Sequence, residues 1–278
     1  MSTESMSRGQ VQKLKTQLNS PVDYYLPLDN ELIHLNPYVG QKITLRFLAK
    51  IQCIHCQKTT NKSFAQGHCY NCFRKLASCD LCIMSPERCH YAAGTCREPE
   101  WGEQYCMQPH IVYLANSSAL KVGISRLSQI PTRWIDQGAE QALPLLSVRT
   151  RHQSGVIECL LKKHVSDRTN WRLMLQGKAE TLDLASAKEE FLNKIQNELD
   201  CLDFKEDIKT NESQVQVIQY PVLEYPKKIQ SHDLEKKPLM EGTLTGIKGQ
   251  YLILDTGVIN IRKYTGYALE FMGSLPAI

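Results

Sequence analysis

The chain has 278 residues, 42% apolar and 22% charged, with a net charge of +4. That is the balance of an ordinary globular protein, long enough for one large domain or two to three small ones. No apolar run approaches the ~18 residues of a membrane span. The opening MSTESMSRGQVQKLKTQ has no apolar signal core, so a cytoplasmic protein with no membrane partner is expected.

Residues 1–52 read as an N-terminal β segment. VDYYLPL and KITLRFLAK are rich in β-branched and aromatic residues, and Asn36, Pro37 and Gly40 supply turns between them. Residues 53–110 carry nine of the eleven cysteines and little apolar periodicity, so metal is expected to replace a core there. Disulfides would suit an exported chain; without an export signal the clustering points to metal instead.

The first group is Cys53-x2-Cys56-x12-Cys69-x2-Cys72. Each pair wraps a metal with two thiolates from one tight turn, and two pairs complete a tetrahedral site. The second group is Cys79-x2-Cys82, then Cys89, Cys96 and Cys106, with His90 and His110 nearby. A second zinc is expected on Cys79 and Cys82 with two of Cys89, His90, Cys96 and Cys106. Pairing across the groups and an iron–sulfur cluster remain open, because four thiolates serve either metal. About two structural zinc ions per chain are expected.

Residues 111–204 form a third segment. IVYLANSSALKVGIS predicts a β-hairpin around Asn-Ser-Ser, a helix follows near Pro131–Ile135, and LPLLSVRTR predicts another strand. Val156, Ile157, Leu160 and Leu161 recur at helical spacing behind Ser154 as N-cap, and residues 182–202 repeat the pattern. Cys159 and Cys201 are expected on apolar helix faces. Residues 111–176 hold nine basic and four acidic side chains, net +5, a charge suited to a polyanion. Residues 205–278 are Gly-punctuated β structure after a polar loop at 205–214, with a strand at VQVIQY. The β-rich ends of the chain are expected to pair with each other.

Val112-Tyr113-Leu114 followed by Lys121-Val122-Gly123-Ile124-Ser125 resembles the signature hairpin of the GIY-YIG nuclease superfamily. Arg133, Glu158 and Asn170 then follow in the superfamily's order, within a stretch of about 66 residues. The whole chain also resembles an uncharacterised bacterial family, domain of unknown function 2797, through CDLCIMSPERCHYAAGTCREPEWGEQYC, HIVYLANSSALKVGIS, RWIDQGAEQALP and SDRTNWR. The first resemblance implies an α+β fold: a small mixed sheet with flanking helices, preceded here by the zinc module and flanked by β-rich ends.

It also implies a phosphodiester hydrolase, an endonuclease acting on nucleic acid, DNA rather than RNA. Glu158 would hold Mg²⁺ or Mn²⁺, Arg133 would brace the scissile phosphate, and Asn170 would fix the neighbouring segment. Tyr113 would move the proton of the attacking water, which needs a phenol with a lowered pKa, supplied by cations such as Lys121. Lys121 stands where many members carry a second Tyr, and Arg126 is a second candidate for the phosphate role because Arg133 follows Gly123 at a longer spacing. The alternative reading is a non-catalytic zinc-containing nucleic-acid-binding protein on a nuclease scaffold; a protein-interaction scaffold is a third. Oligomeric state is not legible.

Overall fold

The computed structural model describes residues 3–275. The chain begins with β1 (Thr3–Gln10), β2 (Lys15–Gln17), β3 (Asp23–Leu28), β4 (Glu31–His34) and β5 (Lys42–Ile51), followed by the short helix α1 (Tyr70–Lys75). The middle holds α2 (Pro99–Tyr105), β6 (His110–Asn116), β7 (Leu120–Arg126), α3 (Thr132–Asp136), β8 (Gln141–Val148), α4 (Arg151–Leu161), α5 (Trp171–Met174), α6 (Leu184–Asp200), β9 (Lys209–Thr210) and β10 (Gln216–Val217). The chain finishes on β11 (Leu239–Lys248), β12 (Tyr251–Leu254), β13 (Gly257–Asn260) and β14 (Tyr267–Leu275). The class is α+β, with several sheets and few helices. No helix among the described residues is long and apolar enough to cross a membrane.

The chain divides into two compact units. The first runs to Arg74, takes in Leu175–Gly177, and resumes at Ile218; the second comprises Lys75–Met174 and Lys178–Val217. The cysteine-rich stretch, expected as one module over 53–110, is therefore shared, with four cysteines in the first unit and five in the second.

The first unit is a six-stranded sheet in the order β1-β14-β5-β11-β12-β13, every neighbouring pair antiparallel, beside a three-stranded meander β2-β3-β4. The two ends of the chain do pair: β1 lies against β14 from Thr3 opposite Leu275 to Gln10 opposite Ala268. β1 is a polar edge strand (TESMSRGQ) whose alternation carries no apolar signal. Its place is set by β14, whose buried Glu270 forms ion pairs with Arg8 and, at 3.6 Å, with Arg46.

The second unit is built on a sheet in the order β10-β8-β6-β7, with β9 beside β8. All its pairings are antiparallel, which corrects the expected mixed sheet: the hairpin turns β7 back along one edge of β6, and the helical crossover carries β8, running the same way as β7, to the other edge, so no parallel neighbour arises. β6 is central and buried along its whole length. Val112, Leu114 and Val122 join Ile157 and Leu161 of α4 and Phe191, Ile195 and Leu199 of α6 in one core. α4 starts at Thr150 rather than Ser154. The Thr150 hydroxyl accepts from the Gln153 amide, and the Gln153 side chain returns to the Thr150 amide at 3.1 Å, a reciprocal capping box. The strand expected at VQVIQY shrinks to Gln216–Val217. Cys159 is half-buried, while Cys201, expected in the core, closes α6 as its C-cap and is exposed.

Candidate functional sites

In the first unit, β5 delivers Cys53 into a tight turn, where the Gln57 amide donates to the Cys53 carbonyl at 2.9 Å and Gln57 takes a positive φ of 59°. A hairpin tip at Ala65, Gln66 and Gly67, all with positive φ, returns the chain to Cys69, and α1 then carries Cys72. The four sulfurs of Cys53, Cys56, Cys69 and Cys72 all lie within 4.8 Å of one another. Cys56 Sγ is 3.8 Å from Cys69 Sγ. A zinc ion about 2.3 Å from each of four sulfurs sets them about 3.8 Å apart, so the donor set and its spacing fit tetrahedral zinc. Burial opposes ionisation of Cys53, but the backbone N–H groups of Cys56, Cys69 and His55 outweigh it and bring its pKa to about 6. Burial and the neighbouring thiols push Cys72 up. Four thiols this close cannot all ionise unless a cation shares the charge.

The five cysteines of the second unit lie on a segment with almost no regular structure: three single 3-10 turns (Ala77–Cys79, Leu81–Ile83 and Pro86–Arg88) and then α2. Cys82 has Asp80, Cys89, Cys106 and Cys96 in its electrostatic environment, and burial followed by these neighbours raises its pKa to about 11. Cys106 has Cys89 and Cys96 in its own. Asp80, Cys82 and His90 place one ligand atom each within 4.8 Å. Asp80, however, is engaged by Arg97 Nε at 2.6 Å, and His90 Nδ1 lies 2.8 Å from Thr95 Oγ1. Cys79 Sγ lies 3.9 Å from Ser78 Oγ. His110 is fully buried, its Nδ1 on the Gln108 carbonyl at 2.6 Å, and burial lowers its pKa to about 4.

This segment is fastened to α4. The Arg151 guanidinium donates to the Ile83 carbonyl at 2.7 Å, and the Arg151 amide donates to the Cys106 carbonyl at 2.8 Å. Gly155 packs so tightly that a Cβ there would stand 2.6 Å from Pro86 Cβ and 2.8 Å from the Glu87 nitrogen.

The hairpin β6–β7 and helices α3 and α4 carry Tyr113, Lys121, Arg133 and Glu158. Directly opposed residues of an antiparallel pair share a face, so Tyr113 opposite Gly123 and Ala115 opposite Lys121 stand together. Arg133 is the common neighbour. Its charge acts on Tyr113, Lys121 and Glu158 alike. Arg126 instead stacks on Tyr105, its guanidinium carbon 4.8 Å from the ring centre. Asn170, next to the Thr169 that accepts from Lys121, acts as a helix cap: its side chain accepts from the Leu173 amide at 3.3 Å, at the head of α5.

Tyr113 is wholly buried, donates to Gln137 Oε1 at 3.0 Å, and meets Trp134 edge-on at 6.0 Å. Burial raises its pKa despite the Arg133 charge, the reverse of the lowered phenol expected from the sequence. Lys121 is 3% exposed and donates to Thr169 Oγ1 at 2.5 Å. Burial, reinforced by Arg133, lowers its pKa to about 7. A lysine in a strand ordinarily reaches water, so nothing in the sequence marked this one as a titrating group in the neutral range. Burial likewise raises the pKa of Glu158. Lys162 Nζ bridges it, at 3.1 Å, to Asp167 at 3.0 Å. Burial works against ionised Asp167, but Lys162 outweighs it and holds that pKa down.

The Tyr113 ring explains Gly123. A Cβ at this position would lie 2.7 Å from the phenol oxygen and 2.8 Å from Cζ. Gly123→Ala is expected to cost about 1–3 kcal/mol through overpacking, read as a lower urea midpoint at unchanged slope.

A family model described as "Protein of unknown function (DUF2797)" matches residues 40–269. No curated protein and no solved structure matches the chain.

Proposed function

The chain belongs to the DUF2797 family, and we propose that it is a divalent-metal-dependent phosphodiester hydrolase, an endonuclease of GIY-YIG type acting on DNA. The single observation that carries the reading is that Tyr113, Lys121 and Glu158, from two strands and a helix, are all shifted by burial and all feel the charge of Arg133 on a second helix. Such convergence of perturbed groups is the ordinary signature of a reacting centre.

The chemistry follows from the side chains. Lys121 Nζ, neutral above pH about 7, takes the proton of the attacking water. Arg133 presents a planar fork of donors to the non-bridging phosphate oxygens as charge builds there. Tyr113, too buried and too weakly acidic to serve as base, orients Arg133 through its phenol oxygen. The hard cation fits the donors: Glu158 and Asp167 are carboxylates already drawn together by one positive group, Lys162, and magnesium accepts one or two carboxylates and keeps its waters. When bound it would neutralise charge on the leaving oxygen.

A second zinc on Cys82, Cys89, Cys96 and Cys106 completes the proposal, supported by the action of Cys89, Cys96 and Cys106 on the Cys82 thiol. Its task is structural: it stiffens a segment whose backbone carbonyls and Pro86 seat the α4 helix that carries Glu158.

The test is cleavage of single-stranded, branched and duplex DNA with Mg²⁺ or Mn²⁺, comparing the parent with Arg133→Ala and Glu158→Gln. Loss of cleavage in both variants, with zinc content retained, is the expected result. Variants as active as the parent sink the assignment, and metal-independent binding with no cleavage by any chain leaves the non-catalytic DNA-binding reading in its place.

A further inference from the structure

The strongest charge asymmetry lies outside the proposed catalytic centre. Between Glu31 and Asp80 the chain runs 48 residues with no Asp or Glu and with seven Lys or Arg. The four-thiolate knuckle of the first unit lies inside that run. Aromatic and cationic side chains alternate on its surface. Phe64, held at the base of its hairpin by reciprocal backbone hydrogen bonds with His68 (2.8 and 2.9 Å), stacks on Phe73 at 5.7 Å and meets Tyr70 at 5.5 Å. Lys62 Nζ sits 5.5 Å from the Phe64 ring centre and the Arg74 guanidinium 5.9 Å from that of Tyr70.

The bland account is that these rings form the small core of a metal knuckle. It suffices for Phe64 and Phe73, which are half-buried. It does not suffice for Tyr70, which is 53% exposed, nor for Lys62 and Arg74, which stand in a stretch that supplies no Asp or Glu of its own. Rings with open faces, interleaved with positive charge, match the bases and phosphates of an unpaired strand. In a duplex those base faces are already stacked on one another.

We propose that the knuckle face formed by Lys62, Phe64, Tyr70, Phe73 and Arg74 binds single-stranded DNA, with bases against Tyr70 and Phe64 and phosphates against Lys62 and Arg74. Contacts of this kind engage bases and phosphates and need no ribose 2′-hydroxyl. The inference deepens the reading given above and rests on it for the class of polymer, but on none of its catalytic residues.

The experiment measures anisotropy of a labelled oligo-thymidine strand of about 12 nucleotides, with the full Glu158→Gln chain and no added divalent ion. The matching duplex and the matching RNA strand are compared. The single DNA strand is expected to bind at least about tenfold more tightly than the duplex, and Tyr70→Ala to weaken it at least about fivefold. Lys62→Gln with Arg74→Gln is expected to flatten the logarithmic salt slope by about 1.4. Zinc content checks that each variant keeps its knuckle; Tyr70, being exposed, remains informative should Phe64→Ala lose metal. Equal binding of duplex, indifference to Tyr70→Ala, or RNA preferred about tenfold overturns the proposal. A chain that binds in this way yet never cleaves sinks only the hydrolase; one that cleaves but binds without regard to Tyr70 sinks only the platform.

Discussion

Lys121→Met is expected to lower DNA cleavage roughly 10²–10⁴-fold, the usual contribution of a positioned general base, while making the folded protein more stable. Few substitutions separate those effects so cleanly, and the reason is burial. Folding takes an ammonium into a site 3% exposed beside Arg133 and brings its pKa from the ordinary 10.5 to about 7. Between those values the unfolded chain holds a proton that the folded chain has released, so stability rises with pH across that window; below about 7 the cost of the buried charge is felt in full. Met lacks the titrating group and removes both the cost and the slope. Denaturation of parent and variant at about pH 6, 8 and 10 reads the difference, which is expected to be largest at the acid end and to shrink as pH rises. Cleavage by the parent is expected to climb about tenfold per pH unit below about 7 and then level. Lys121→Arg, which keeps the charge and cannot release it, is expected to be inactive throughout. A parent whose rate is flat from pH about 5 to 8, or a Met variant with full activity, would remove Lys121 from the mechanism.

Cys56→Ser is expected to lower bound zinc from two ions per chain to one and to open the first-unit knuckle. Structural zinc contributes on the order of 10 kcal/mol of apparent binding free energy to small metal-organised folds. The backbone over residues 53–72 is otherwise held by short pieces: the bridge of Gln52 to Thr59, the Ile54 amide on the Gly67 carbonyl at 2.8 Å, the hairpin Phe64–His68 and the start of α1. Limited proteolysis is expected to cut the variant at the Ala65–Gln66 tip while the parent resists. Cys82→Ser is expected to remove the other ion and leave that tip protected, since the two groups of thiols belong to different units. Cys79→Ser is expected to retain both ions. Elemental analysis of the three purified variants decides; a Cys56→Ser chain with two zinc ions would exclude the four-thiolate site.

How much of this could be read beforehand depends on how local each determinant is. The Cys53–Cys72 site was legible because its two chelating pairs declare themselves within 20 residues. The hairpin at 110–126 and the helices over 151–161 and 184–200 were legible from alternation and from helical spacing. The second set of sulfurs was less so. Cys79-x2-Cys82 lies on 3-10 turns, and the ligand atoms gathered closest to Cys82 are those of Asp80 and His90, which chelate-pair spacing does not point to. The titration of Lys121 was hidden because burial is a property of the assembled sheet and its neighbours, and β1 was hidden because an edge strand needs no apolar face. The acid-free run of residues 32–79 is countable in the sequence, but it crosses from the N-terminal β segment into the cysteine-rich stretch and so belongs to neither alone.

The pairing of β1 with β14 sets an order of events during synthesis. The six-stranded sheet cannot close until its last strands exist, some two hundred residues after β5, and joining ends so far apart is entropically slow. The four thiols of the knuckle are held within a single short stretch, so a metal ion taken up there fixes the chain beyond β5 long before its partner strands emerge from the ribosome. An ion bound there would steady the chain beside an unfinished sheet, while β5 keeps both edges open until β11 and β14 arrive.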